Sequence, residues 1–179
     1  MQIFRKWLPN WAIKVLLFAL IVPNMVLFFL PVANEAVTAG YYGIEVNDVQ
    51  FMIGLYYVGF ASFYCLERRF YNYFSSKYYF IIFQLIQLVC CYLLFQVEVL
   101  WLLWAIRFIQ GMLFASAVNL YLSLASSYMK SFRAKEVSYS LFFGMLLCTG
   151  SFNNLITADL IDHFNFDMIY KAAMLLYAL

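Results

Sequence analysis

Along this chain apolar residues follow one another almost unbroken for stretches near the roughly 20 residues that a helix needs to cross a bilayer, and charges collect in short gaps between them. The apolar runs cover about 13–33, 49–66, 78–97, 100–126, 137–158 and 168–179. Lipid offers no partner to a bare N–H or C=O, so runs of this length predict helices. The pattern predicts an all-α, polytopic transmembrane bundle of six spans in a single domain, 1–179. The sixth run falls short. From Asp167 to Leu179 a helix climbs roughly 18 Å at about 1.5 Å per residue, against a hydrocarbon core of about 30 Å. The expectation is that the sequence is a fragment of a longer membrane protein, or that a partner completes the last helix, because an apolar end in mid-bilayer would leave carbonyls unpaired.

The gaps give the orientation. Arg5 and Lys6 precede the first run, Lys14 lies just inside it, Arg68, Arg69 and Lys77 sit in the gap after the second, and Lys130, Arg133 and Lys135 in the gap after the fourth. If the spans alternate, all of these fall on one side. Glu35, Glu45, Asp48, Glu98, Asp159, Asp162 and Asp167 fall on the other, with no basic residue in those gaps. Excess lysine and arginine mark the cytoplasmic side, which puts the N-terminus in the cytoplasm of a multi-pass protein of the plasma membrane, in a bacterium the inner membrane. The first run outlasts the roughly 7 to 15 apolar residues of a signal peptide and is expected to be retained. Pro23 removes a backbone donor in its middle, and Asn24 beside it offers an amide to the freed backbone or to a substrate; a tolerated kink is the plainer account. Tyr41, Tyr42, Tyr78 and Tyr79 fit an interfacial aromatic belt.

Composition narrows the function. Of 179 residues 66% are hydrophobic, 22% aromatic and 11% charged, against about 25% charged in soluble domains. A net charge of +2 does not suggest nucleic acid as a partner; the lipid bilayer is the expected one. Cys65, Cys90, Cys91 and Cys148 lack zinc or disulfide spacings and are expected as small core residues. No metal, cofactor or enzymatic activity is expected. The lone His163 cannot supply a ligand cluster, and there is no phosphate-binding glycine loop.

Candidate chemistry centres on Arg107, a guanidinium inside an otherwise apolar run. Burying it in a membrane costs about 2.5 to 3.5 kcal/mol on insertion scales, which marks it as a functional candidate. Gln110 and Gly111 share its helix face and add an amide and a place for close backbone approach, so this face is expected to look into the bundle. Two accounts of Arg107 stay open, a residue lining a substrate or proton pathway and a staple bonded to neighbouring carbonyls. Gln84, Gln87 and Asn119 are expected as interhelical hydrogen-bonding groups. Asn153 and Asn154, at a depth similar to Arg107, are candidates for lining an outward cavity or for helix–helix bonding. Lys171 and Asp167 are spaced as a pair one turn apart.

Arg107-Phe108-Ile109-Gln110-Gly111 in the fourth run resembles the R-x-x-Q-G signature of the major facilitator superfamily, notably its drug:proton antiporter branches. Glu67-Arg68-Arg69 takes the place of that family's acidic-basic cytoplasmic signature, with Phe63 and Phe70 where glycines are expected. Gly144 and Gly150 stand in the fifth run, with Ser151 where its proline is expected. The resemblance covers the chain as the N-terminal six-helix half of a transporter. It implies alternating access, in which two six-helix halves rock about a central site. It also implies Arg107 in proton coupling or in holding an anionic substrate, Glu67, Arg68 and Arg69 in a cytoplasmic gate loop, protons as coupling ion, and a missing C-terminal half as partner. Glu35 and Asp48 are the carboxylates nearest to Arg107 in depth.

Three classes of function follow. The leading expectation is a secondary active transporter of small solutes, a proton-coupled exporter of drugs or metabolites. The alternative is a structural or assembly subunit without transport of its own, or a transporter fragment inactive by itself. An intramembrane enzyme lacks the clustered ligands or carboxylates it would need.

Overall fold

A computed structural model describes residues 21, 23–27, 30–32, 34–73, 76–97, 99–128, 136, 139–140, 143–144 and 166–178. Among these the architecture is all-helical, without strands. Five helices are defined over their length: α1, Glu35–Tyr42; α2, Val46–Tyr73; α3, Ser76–Gln96; α4, Leu100–Tyr128; and α5, Phe166–Ala178. The described residues between 21 and 32 are helical too. Among the described residues two segments, Val46–Leu66 of α2 and Leu100–Leu122 of α4, are by length and composition long and apolar enough to cross a membrane.

The Leu100–Leu122 segment of α4 is the centre and is mostly buried, whereas most of Val46–Leu66 of α2 is exposed or half-buried. Helix α4 packs against α2 along one side and against α3 on another; α3 backs onto α5, and α1 lies on α2. The 21–32 stretch closes the group, with Ile21 and Met25 joining Tyr56, Phe114 and Val118, and Leu27 and Leu30 joining Leu94, Leu103 and Ile106.

Two glycines set how near α2 and α4 come. A Cβ added at Gly59 would overlap the Phe108 carbonyl, and one at Gly111 would overlap that of Tyr56. The contact is reciprocal, each helix offering a glycine to a carbonyl of the other, which is how small residues let helix backbones meet.

Three local features differ from the sequence pattern. Helix α2 runs on to Tyr73, so Glu67, Arg68 and Arg69 are helical instead of forming a connection. The charges mark where the apolar stretch stops, not where the helix stops, because Glu and Arg are good helix formers and no glycine or proline intervenes. The gap after the first run contains α1, closed by Gly43 in the left-handed conformation at φ 63°, with the Ile44 N–H donating to the Ala39 carbonyl at 3.0 Å. Cys65 is exposed, unlike the buried Cys90 and Cys91.

Replacing Gly111 by valine should wedge α2 from α4 and destabilise the fold by about 1–3 kcal/mol, as overpacking does. Gly54→Ala, where an added Cβ meets nothing within 4 Å, should be neutral or slightly stabilising. Thermal unfolding of the purified protein compares the two.

Candidate functional site

Arg107 lies seven residues into α4, about 10 Å along its axis. It is 1% exposed and the largest fully buried side chain among the described residues. Its Nη1 donates to the Leu27 carbonyl at 3.0 Å and to Gln110 Oε1 at 3.2 Å, and its Nη2 to the Tyr170 hydroxyl at 3.4 Å. The first acceptor belongs to the 21–32 stretch, the second to α4 itself and the third to α5. All three oxygens are neutral. Among the described residues the positive charge has no counter-ion within bonding reach, which leaves it dependent on dipoles.

The hydrogen bonds continue outward from Arg107. The Tyr170 hydroxyl shares a 2.8 Å bond with that of Tyr42, at the end of α1. Next to it Tyr41 donates to Asp167 Oδ1 at 2.9 Å. The Tyr41 ring stands edge-on to Tyr42 at 4.9 Å and tilted to Tyr170 at 6.5 Å. Burial, and then the carboxylate that accepts its proton, push the Tyr41 phenol well above its ordinary value, so it remains a donor at neutral pH. Burial does the same for Tyr42, with Tyr170 adding to the rise and Arg107 pulling the other way. On the other side, Gln87 Nε2 in α3 donates to Asn24 Oδ1 at 2.8 Å, both residues being buried. Asn24 is thus one helical turn from the carbonyl that holds Arg107, and bonded to a neighbouring helix.

Of the residues singled out by sequence, Arg107 and Gln110 come together, Asn24 lies one turn away, and Gly111 meets the α2 backbone. Asn153 and Asn154 lie outside the described residues, as do the side chains of Glu67, Arg68 and Arg69. Glu35 is engaged by Gln50 Nε2 at 2.9 Å. The one-turn pair of Lys171 and Asp167 gives way to two other contacts: Asp167 takes the Tyr41 hydroxyl, and the Lys171 ammonium lies 5.3 Å from the centre of the Phe95 ring.

Sequence reasoning missed Tyr170 as a partner of the charge and Tyr42 as the partner of Tyr170. A tyrosine in an apolar run needs a bonding partner for its hydroxyl; that signal marks Tyr170 as polar but does not name Arg107.

No protein-family model, curated protein or solved structure matches the chain.

Tyr170→Phe removes an acceptor from the buried guanidinium and the partner of Tyr42, and should cost about 1–3 kcal/mol. Tyr42→Phe leaves the bond to Arg107 in place and should cost less. The double variant should lose less than the sum of the two, as measured by a double-mutant cycle in denaturant unfolding.

Proposed function

We propose that the protein is a secondary active transporter of small solutes, working by alternating access in the plasma membrane with its N-terminus in the cytoplasm. In this reading the chain forms the N-terminal half of a major-facilitator-type fold and works with a C-terminal half; protons are the coupling ion that the resemblance implies. Its cargo would be small and amphipathic, a drug or a metabolite, exported.

The observation that carries the reading is an inverted distribution of polarity. Arg107, Gln110, Gln87 and Asn24 are among the least exposed side chains, whereas Trp101 is 67% and Leu175 71% exposed. On α3 the apolar Ile81, Ile82, Leu85, Ile86, Val89 and Tyr92 stand exposed in one continuous row. Water penalises such a surface and lipid solvates it. A charge enclosed by helices in that setting is a functional candidate by its cost alone.

A second reading is favoured by a specific observation. Arg107 bonds the 21–32 stretch and α5 as well as its own helix, as a staple would in a subunit that transports nothing.

Everted membrane vesicles containing the full-length protein, given an amphipathic dye on the outside under an imposed pH gradient, separate the two. Arg107→Ala should reduce dye movement at least tenfold while the amount of inserted protein is unchanged. Undiminished movement removes the arginine from the pathway, and loss of inserted, folded protein with the arginine would favour the staple.

A further inference from the structure

We propose that Lys171, seated against the ring of Phe95, anchors the phosphate of an anionic phospholipid at the seam between α3 and α5. The inference rests on the membrane placement in the reading above and does not depend on what the protein carries.

Lys171 follows Phe166, the first residue of α5, by five positions, about 8 Å along the helix. Its side chain is exposed, and among the described residues its ammonium has no carboxylate partner. Asp167, one turn back, is taken by the Tyr41 hydroxyl. Arg107 is enclosed, which leaves Lys171 as the exposed cation among the described side chains. Side chains on a helix lean toward its N-terminus, and in α5 that is the end at which the apolar stretch begins. The stem of Lys171 therefore carries its charge toward the membrane surface, in the manner of a snorkelling lysine. Phe95 stands at the matching place, one residue before the end of α3, with the ammonium 5.3 Å from the centre of its ring. Cys91, one turn before Phe95, donates to the Tyr170 carbonyl at 3.6 Å, so the two helices are in contact at this level.

A cation at the edge of the hydrocarbon draws an anion, and the anion in supply there is a lipid phosphate. Two features make the place more than a lysine reaching for water. The ring holds the ammonium over one spot, so much of the side chain's freedom is lost before a lipid arrives. The surface deeper in the membrane is apolar: Leu175, one turn further on the same face of α5, and Val89 and Tyr92 of α3 are exposed. A phosphate on Lys171 lays an acyl chain along that surface. Free phosphate has the charge but no chain to lay there, and a zwitterionic headgroup brings its own cation beside the lysine.

The delipidated full chain in neutral detergent is titrated with dioleoylphosphatidylglycerol and, separately, with dioleoylphosphatidylcholine, dioleoylglycerol and glycerol 3-phosphate, and its thermal unfolding followed. Phosphatidylglycerol should raise Tm by several degrees in a saturable way and bind about fivefold tighter than phosphatidylcholine, while the last two should leave Tm where it is. Lys171→Met should weaken phosphatidylglycerol by about fivefold and Lys171→Arg should keep it. Phe95→Leu, which leaves the charge without its ring, should weaken it by about two- to fivefold. Each shift is taken from the variant's own lipid-free Tm, so that lost stability does not imitate lost binding. Equal shifts from phosphatidylglycerol and dioleoylglycerol, a shift from glycerol 3-phosphate alone, or a full response in Lys171→Met would overturn the site. Extraction of native membranes with alkaline carbonate tests the underlying placement separately. A chain that stays in the membrane but ignores phosphatidylglycerol keeps the placement and removes the lipid site, whereas a chain released by carbonate removes both.

Discussion

A guanidinium held by neutral oxygens is the constraint to which the rest of this bundle answers. Arg107 reaches a backbone carbonyl in the 21–32 stretch, an amide one turn along its own helix and a phenol of α5. Taking a charge out of water costs several kcal/mol, and dipoles repay only part of it. The surrounding elements must therefore stay close. Were α5 to withdraw, Arg107 would lose the Tyr170 hydroxyl; were the 21–32 stretch to shift, it would lose Leu27. The packing follows the same lines in part, since the cluster that contains Leu27, Ile106 and Tyr170 joins the elements that the arginine bonds and adds Met52 of α2 and Cys90, Cys91 and Leu94 of α3.

Against this polar centre stands a second, purely steric attachment. Gly59 and Gly111 bring α2 and α4 to backbone contact through two facing carbonyls. Side chains that interdigitate can slide by changing rotamer; a glycine against a carbonyl has no such freedom. The two attachments differ in kind. Helices α2 and α4 make a pair with little room to adjust, whereas the 21–32 stretch and α5 are joined to α4 by hydrogen bonds that other partners can replace. On the proposed reading the movable contacts are the ones around the charge, which is where a solute would have to enter.

Much of the helical layout was legible in the sequence. The fourth apolar run, 100–126, is contained in α4, and the third, 78–97, largely overlaps α3, because long apolar runs without proline have few alternatives to helix. Arg107, Gln110 and Gly111 share a face by their spacing alone. What the sequence did not disclose is of two kinds. Helix α2 passes through Glu67, Arg68 and Arg69 because a change of solvent does not end a helix, so polarity misplaced its boundary. The partners of the charge were hidden by distance along the chain, 63 residues from Arg107 to Tyr170 and 128 from Tyr42 to Tyr170. Helical periodicity relates near neighbours and says nothing about contacts made by folding back.

The continuation of α2 has a mechanical meaning. From Glu67 to Tyr73 the chain stays helical past its apolar stretch, about 10 Å at the usual rise, and only two residues separate Tyr73 from Ser76 at the head of α3. A loop at Arg68 and Arg69 would act as a tether and absorb any tilt of the helix that carries it. A helix acts as an oar. Since α2 is clamped to α4 at Gly59, a tilt of the pair as one unit would carry positions 68 and 69 through a wider arc than the clamp itself.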